Sequence, residues 1–396
     1  MKIATLLARE PFARIFEATL SRWLSARFGG QYGVQWRRAE RLAALPWRSD
    51  PHVWLVNPHL NLIVRSDAPA SVFRQPREEF RRAIGVARRV PQALYAEVAG
   101  RRASAWALAP FQVGIDPVPP ASRGWLIMGG TLRLRIVDVG ARRSWVIPKL
   151  GVDPRFHRAD VHARRVLAAP LAPPLVEVPE PPEWYAEALA PGLPQNRLGS
   201  ADARRAAFEV AASALDTWTS ARARPVALAE TVEGVLSTVA RAALPPALTA
   251  GVAGAMDAIR RAAERDRPSI ERGPTHGDFQ PANVLCGASG TWLIDWERSG
   301  DRCLHYDALV WHTGARQTPR WPDALDGWTR GGEEWRRWAR MRPKHSGMSE
   351  AERAAVAVAF LADELWYRVE EAEAAPQADH APAIAAVRSA ASRLAR

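Results

Sequence analysis

The sequence predicts an α+β protein in which a small antiparallel sheet precedes a large helical region. Between Trp125 and Lys149, apolar and polar residues alternate at period two between glycine turns, which predicts a three-stranded meander. After Gly192 the pattern becomes almost entirely helical and rich in alanine. Strands followed by a run of helices are typical of an α+β arrangement.

Length and composition set further limits. A chain of 396 residues is long for one core, and 47% hydrophobic residues with 17 Trp can bury enough apolar surface for more than one folded unit. Two cysteines exclude a disulfide scaffold or a zinc site built from cysteine. No uncharged stretch reaches the roughly 20 residues that a membrane-spanning helix needs. We therefore expect a folded cytoplasmic protein.

The formal charge of +12 favours an anionic partner. Much of the excess lies in residues 1–100, where the segment from Pro11 to Phe28 also has the apolar spacing of an amphipathic helix. This region could dock on a membrane surface or another anionic partner, or its apolar face could pack inward. A nucleic acid partner is not expected, because no helix-turn-helix, zinc-finger or RNA-stacking signature is present.

One motif carries chemistry. His276, Asp278 and Asn283 form H-G-D-x-x-x-x-N, and Asp295 follows at the end of an apolar run. A carboxylate in a loop can accept the proton of an attacking hydroxyl, while an amide oxygen five residues on and a second carboxylate can ligate Mg²⁺ on a triphosphate. The pattern predicts phosphoryl transfer, with Asp278 as base, Asn283 and Asp295 as metal ligands, and His276 orienting the loop.

These residues, with the sequence Ile294-Asp295-Trp296-Glu297 and the later Asp307, resemble the aminoglycoside phosphotransferase and choline kinase family. The resemblance is most specific over residues 273–310. It implies a bilobal protein-kinase-like fold with a small antiparallel-sheet N-lobe and a mostly helical C-lobe. It also implies ATP as phosphoryl donor, Mg²⁺ as cofactor, and a hydroxyl of a small molecule, such as a sugar or amino alcohol, as acceptor.

The resemblance also implies parts that bind the nucleotide. Lys149, the only lysine between positions 3 and 343, would hold the phosphates, Asp160 would be its acidic partner, and Gly129 and Gly130 would form the turn over the nucleotide. Each has a structural alternative: a surface lysine, a solvated helix residue and ordinary hairpin glycines. Pro148 predicts a bulge or a strand end beside Lys149, because proline removes a ladder hydrogen bond.

The segment from Tyr185 to Gly192 resembles the hinge between the lobes, with backbone groups from Tyr185 to Glu187 reading the adenine edge. The resulting domain prediction is a basic N-terminal α/β extension of unknown role at 1–122, an N-lobe at 123–184, a hinge at 185–192, and a helical C-lobe at 193–396 with the catalytic loop and the acceptor pocket.

Two segments could contribute to the acceptor pocket, and both could instead be core. Residues 334–340 are basic and aromatic, whereas residues 360–371 are acidic and aromatic. Two function hypotheses follow. The first is an ATP- and Mg²⁺-dependent small-molecule kinase; the alternative is a nucleotide-binding pseudokinase or scaffold that acts through its basic N-terminal unit, suggested by Pro148, Asp160 and the weak glycine turn.

Overall fold

The computed structural model describes residues 2–39, 50–80, 86–99, 108–264, 269–341, 346–374 and 379–396. They divide into two compact units, the first within Met1–Arg158, Pro173–Arg204 and Gly287–Ser289, the second within Ala159–Ala172, Arg205–Cys286 and Gly290–Arg396. The first unit is built on a large antiparallel sheet and the second mainly on helices, so the predicted α+β class is confirmed.

The sheet of the first unit contains nine strands in the spatial order β1-β4-β2-β3-β5-β6-β7-β9-β8, and all its neighbouring strands are antiparallel. The predicted meander is present as β5, β6 and β7, and β7 ends at Pro148, as expected for a residue that cannot donate to the ladder. The strands are β1 Gly33–Arg38, β2 Val53–Asn57, β3 Leu62–Arg65, β4 Phe111–Asp116, β5 Trp125–Gly129, β6 Arg133–Asp138, β7 Arg143–Pro148, β8 Leu175–Glu177 and β9 Tyr185–Ala188.

The predicted boundary after residue 122 does not separate two units. Strand β3 pairs with β5 across it, with Ile63 opposite Ile127 and Val64 opposite Leu126. An unpaired β5 would leave the edge of the meander open to other chains, and the earlier strands cover that edge. The strands β1 to β4, which precede residue 122, therefore extend the same sheet as the meander.

The basic N-terminal helix packs inward. Phe12, Phe16, Leu20 and Trp23 are buried, and Trp23 lies 5.6 Å from Trp145 of the sheet, measured between ring centroids. Full burial of each such side chain contributes about 1.5–3 kcal/mol, so this face is not available for a membrane surface. The helices of this part of the chain are α1 Ile3–Arg9, α2 Phe12–Phe28, α3 Arg74–Phe80, α4 Val86–Ala99 and α5 Pro154–Arg165.

The second unit has a helical core around one long helix. Helix α12 buries Val358, Phe360, Leu361 and Leu365 in a cluster that also contains Trp328. Its helices are α6 Ala201–Ser220, α7 Leu228–Ala240, α8 Pro246–Ala263, α9 Tyr306–Thr313, α10 Trp321–Thr329, α11 Glu333–Met341, α12 Glu350–Ala374 and α13 Ala381–Leu394. The remaining strands of the chain are β10 Leu193–Pro194, β11 Arg224–Val226, β12 Ile270–Thr275, β13 Val284–Gly287, β14 Gly290–Leu293 and β15 Gly300–Cys303.

Within the described ranges, none of the helices combines the length and the apolar character needed to cross a bilayer.

Candidate active site

The loop that follows β12 is held at its first two residues by one carboxylate. Asp307, in the first turn of α9, accepts the backbone N–H of His276 at 2.7 Å and that of Gly277 at 2.9 Å. Gly277 has φ +82°, and a Cβ there would lie 2.0 Å from the carbonyl oxygen of Arg298. Only glycine fits this position without displacing the backbone, so local geometry requires the glycine of H-G-D.

The His276 imidazole links the loop to the strand that precedes Asp295. Its Nε2 lies 2.9 Å from the carbonyl oxygen of Ile294, and its Nδ1 lies 3.3 Å from the backbone nitrogen of Asp278. The first contact needs a donor and the second an acceptor, which assigns the proton to Nε2. Both ring nitrogens are thus used in holding backbone, consistent with the predicted role of orienting the loop.

The Asp278 carboxylate is held from three sides. Its Oδ2 accepts from Gln280 Nε2 at 2.9 Å and from Asn283 Nδ2 at 3.0 Å, while Oδ1 accepts from Arg316 Nε at 3.2 Å. A carboxylate offers about four acceptor positions, so this arrangement leaves room for one further donor, such as a substrate hydroxyl. The Asp278 side chain is 16% exposed, which keeps it accessible.

Asn283 and Asp295 are brought together through Ile294. The carbonyl oxygen of Asn283 accepts the N–H of Ile294 at 3.0 Å, and Asp295 follows directly in the chain. Asn283 uses its amide N–H groups on the backbone and side chain of Asp278, so Oδ1 is the atom that could ligate a cation. Asp295 has a left-handed backbone, φ 67° and ψ 54°, a conformation often retained at functional sites.

The two oxygen donors fit Mg²⁺, which proteins commonly hold through one or two carboxylates together with substrate phosphates. Across the described ranges, no group of three or more His, Cys, Asp or Glu side chains could hold a metal by itself.

Burial raises the pKa of Asp278, and the neighbouring Arg316 guanidinium opposes that rise. Sequence reasoning missed Arg316, which lies 38 residues after Asp278 in the segment behind α9. No spacing rule singles it out among the many arginines of the chain. Its contact with the candidate base is visible only once the second unit is folded.

The prediction for Lys149 needs correction. Period-two alternation places Lys149 on the same sheet face as Trp145 and Ile147, and this face packs against α2. The Lys149 ammonium donates to Glu10 Oε1 at 2.5 Å and lies 5.6 Å from the ring centre of Phe12. The lysine side chain is 1% exposed, so a nucleotide phosphate has no access to it in this arrangement.

The predicted acid for Lys149 is replaced by Glu10. Asp160 is buried and pairs with Arg164 one helical turn further along α5, with an oxygen to nitrogen distance of 3.3 Å. Burial lowers the pKa of Lys149, and its hydrogen bond with Glu10 acts in the opposite direction. The ion pair is therefore a feature of the packed core of the first unit.

The glycine turn is also covered. Gly129 exchanges two hydrogen bonds with the side chain of Asn61, and a Cβ at Gly129 would lie 2.9 Å from atoms of both Leu6 and Phe12. Gly130 uses its N–H within the turn, on the carbonyl oxygen of Arg133 at 2.9 Å. Close packing of the N-terminal helices explains Gly129, and the tight turn to Arg133 explains Gly130, so the role of covering a nucleotide is not supported.

Tyr185 and Glu187 lie within strand β9. This strand pairs with β7 on one side and β8 on the other, so its backbone is not open to an adenine. The Tyr185 ring stacks on His157 at 5.1 Å, and the Glu187 carboxylate is buried against Arg135 and Ser144. The prediction that backbone groups from Tyr185 to Glu187 bind an adenine is therefore wrong, because these residues form a strand that is paired on both sides.

The two segments considered for the acceptor are largely structural. Trp335 and Trp338 stack at 4.8 Å inside the core, which confirms the core interpretation of residues 334–340 for these rings. On α12, Asp363 pairs with Arg272 and Glu370 with Arg298. These two carboxylates are thus already neutralised by buried arginines.

A separate cavity of 340 Å³ lies beside the loop. Aromatic residues form part of its wall, including Phe279, the residue after Asp278, and Phe208 and His312. Glu209 and Asp216 of α6 add two carboxylates. Its volume falls in the usual range for small-molecule pockets.

No family model matches the chain, and no curated protein matches it. Among solved structures, a thermostable mutant of aminoglycoside phosphotransferase APH(4)-Ia is 18% identical, with 66% of this chain and 94% of that chain covered and a TM-score of 0.42. Choline kinase LicA from Streptococcus pneumoniae is 14% identical, with 68% and 90% covered and a TM-score of 0.42. A choline/ethanolamine kinase family protein from Mesorhizobium loti is 16% identical, with 67% and 92% covered and a TM-score of 0.37. These values are low, so the function proposed below rests on contacts within this chain.

Proposed function

We propose that the protein is an ATP- and Mg²⁺-dependent phosphotransferase that transfers the γ-phosphate to a hydroxyl of a small molecule. The observation that supports this proposal most directly is the contact between Asp278 Oδ2 and Asn283 Nδ2 at 3.0 Å, with Asn283 bonded in turn to the residue before Asp295. Three hydrogen bonds thus join the candidate base to the two candidate oxygen ligands. Two run from the Asn283 amide to Asp278, and one runs from the N–H of Ile294 to the carbonyl oxygen of Asn283.

In the proposed reaction, the oxygen of the acceptor hydroxyl attacks the γ-phosphorus of ATP while Asp278 accepts the proton of that hydroxyl. The bond between the γ-phosphorus and the bridging oxygen breaks, and ADP leaves. Asn283 Oδ1 and the Asp295 carboxylate would hold Mg²⁺, which, when bound, offsets the negative charge of the phosphates. His276 and Asp307 contribute by fixing the loop, so that Asp278 needs little reorganisation during the reaction.

The 340 Å³ cavity beside Phe279 is the place we propose for the acceptor. It adjoins the residue next to the base, and its aromatic wall can pack on an apolar ring face while Glu209 and Asp216 bind hydroxyl or amino groups. These features suit a small polar metabolite with an exposed hydroxyl. We do not assign the phosphate contacts to Lys149, because its ammonium is engaged by Glu10.

The proposal is tested with γ-labelled ATP, Mg²⁺ and fractionated metabolite extract. Wild type should label an acceptor fraction, and Asp278→Asn should lose the transfer by about 10²- to 10⁴-fold, the range for loss of a general base. Asp323→Asn is the matched control, because Asp323 is 64% exposed and pairs with Arg393 at the surface. Equal labelling by wild type and Asp278→Asn would remove Asp278 from its role.

The buried Lys149 favours a second candidate, a nucleotide-binding pseudokinase that does not transfer phosphate. Because the Lys149 ammonium pairs with Glu10, it does not supply a contact to the nucleotide phosphates. This candidate predicts that Mg²⁺·ATP binds, with affinity reduced by Asp295→Asn, while no acceptor fraction is labelled. Labelling that depends on Asp278 excludes it.

A further inference from the structure

A buried network of charges connects the candidate base to helix α12, and the reaction proposed above does not use it. Arg316 lies at its centre, with a side chain that is 5% exposed. Its Nε donates to Asp278 Oδ1 at 3.2 Å, one terminal nitrogen to Glu364 Oε1 at 2.5 Å, and the other to the hydroxyl of Tyr306 at 2.9 Å. The ring of Tyr367 lies under the guanidinium, 3.5 Å from Cζ to the ring centre.

These contacts argue against a role for Arg316 in holding substrate. Each of its three nitrogens already has a protein acceptor, and one face of the guanidinium is covered by Tyr367. A planar group with this many fixed contacts has very little rotational freedom. Arg316 therefore transmits the position of its partners to Asp278.

The partners of Arg316 are themselves fixed. The Tyr306 hydroxyl donates to Glu364 Oε2 at 3.0 Å, which closes a ring of hydrogen bonds with Arg316. Arg368, one turn along α12 from Glu364, pairs with Oε1 at 2.8 Å and donates to the carbonyl oxygen of Ala315 at 2.7 Å. The residue before Arg316 is thus tied to α12 as well. Two carboxylates and two arginines balance in charge within this buried cluster.

We propose that Arg316 is a positioning residue that fixes the Asp278 carboxylate toward the acceptor hydroxyl, and that α12 holds Arg316 in place through Glu364. This inference rests on the proposed phosphotransferase function for its catalytic consequence. Oδ2 of Asp278 is held by residues of its own loop, Gln280 and Asn283, and within the described part of the chain Oδ1 is held by Arg316 alone. Loss of Arg316 frees one side of the carboxylate while the loop and its glycine turn stay intact.

The first test is hydrogen–deuterium exchange of the ligand-free protein, read on peptides that cover residues 276–283. Arg316→Gln should raise the exchange rate of this loop by about tenfold, because losing a hydrogen bond to a charged group shifts the local opening equilibrium by about that factor. Arg316→Lys should give a smaller rise, since a single ammonium can satisfy only some of the three partners. If the loop exchanges as in wild type, or if exchange rises equally along all of α12, Arg316 does not position the loop.

The matched control is Arg272→Gln. Arg272 is also a buried arginine paired with an α12 carboxylate, Asp363, at 3.3 Å, but it has no contact with Asp278. We expect this variant to lose stability without a selective change in the loop. An equal change in both variants would assign the effect to general loss of packing and overturn the proposal.

The second test is activity, measured as transfer of the labelled phosphate from Mg²⁺·γ-labelled ATP to the acceptor fraction that wild type labels. Arg316→Gln should lower kcat by about 100-fold, the cost of a misplaced catalytic group, with little change in the KM for Mg²⁺·ATP. Arg316→Lys should recover part of kcat. An unchanged kcat overturns the positioning role. If wild type transfers no phosphate, the proposed function fails, and hydrogen exchange still decides whether Arg316 orders the loop.

Discussion

Breaking the buried ion pair between Glu10 and Lys149 should cost far more than breaking an exposed ion pair such as that between Glu183 and Arg22. Glu10→Gln leaves the Lys149 ammonium in place with a side chain that is 1% exposed, so water cannot replace the lost carboxylate. Removal of one partner from a buried pair typically costs about 3–5 kcal/mol. Lys149→Met should cost less, because the Glu10 side chain is 15% exposed and keeps some hydration.

Replacing both partners separates the two contributions. In the double variant Glu10→Gln/Lys149→Met neither charge of this pair remains. Replacing a buried pair by uncharged residues of similar volume often leaves stability unchanged, so we expect a free energy of unfolding within about 1 kcal/mol of wild type. Glu183→Gln is the control, since the pair between Glu183 and Arg22 is 54% and 59% exposed. It should change the free energy of unfolding by less than about 1 kcal/mol.

The assay is urea unfolding at pH 7, followed by tryptophan fluorescence and by far-ultraviolet circular dichroism. A pH series adds a second check. Burial lowers the pKa of Lys149 from its ordinary value of 10.5, so the unfolded chain binds more protons in the window between the lowered pKa and 10.5. The free energy of unfolding of Glu10→Gln should therefore rise with pH in that window. A loss no larger than that of Glu183→Gln would refute the interpretation of Lys149 as a buried cation that depends on Glu10.

Three further predictions concern the packing of the loop and of the glycine turn. Gly277→Ala should lower both the melting temperature and the rate of phosphate transfer, because its Cβ would meet a carbonyl oxygen at 2.0 Å. Gly290→Ala is the control and should have a smaller effect, because Gly290 also has a positive φ but a Cβ there would have no atom within 4 Å. Equal effects would show that backbone strain alone is responsible. Asp307→Asn should lower the free energy of unfolding by about 1–3 kcal/mol and speed hydrogen exchange of the backbone amides of His276 and Gly277, which donate to Asp307. Mass spectrometry of peptides covering residues 276–283 would measure this exchange. Unchanged exchange would contradict the anchoring role of Asp307. Gly129→Ala should lower the melting temperature, and it should lower it less in a chain that already carries Leu6→Ala if the 2.9 Å contact with Leu6 is part of the cause.

The loop that contains His276, Asp278 and Asn283 could be predicted from sequence because its geometry is local. The backbone between Asp278 and Asn283 is short enough that their spacing fixes the contact between Asp278 Oδ2 and Asn283 Nδ2, observed at 3.0 Å. The glycine of the motif follows from a positive φ and a close carbonyl. Period-two alternation likewise predicted the meander, because each strand has one face in a common core.

The errors arose where partners are far apart in the chain. Glu10 lies 139 residues before Lys149, and no pattern along the sequence connects them. The parity of Lys149 with Trp145 and Ile147 did indicate that its side chain enters a buried face, but not which acid would meet it. Arg316 is similar, since its contact with Asp278 depends on how α9 and α12 pack in the second unit.

The domain boundary failed for a related reason. A proline-rich stretch before residue 123 predicts a linker when only local composition is considered. Pairing of β3 with β5 is a contact between strands 60 residues apart, and it converts that stretch into an ordinary connection between two strands of one sheet. Composition cannot distinguish the two cases.

The central claim is that Asp278 accepts the proton while Asn283 and Asp295 serve the metal-bound nucleotide. One measurement tests it most directly: binding of Mg²⁺·ATP and transfer of its labelled γ-phosphate, both recorded on the same preparation of Asp278→Asn and of wild type. The account predicts that Asp278→Asn binds Mg²⁺·ATP with nearly the affinity of wild type and loses transfer by about 10²- to 10⁴-fold. Transfer at the wild-type rate by Asp278→Asn would contradict it.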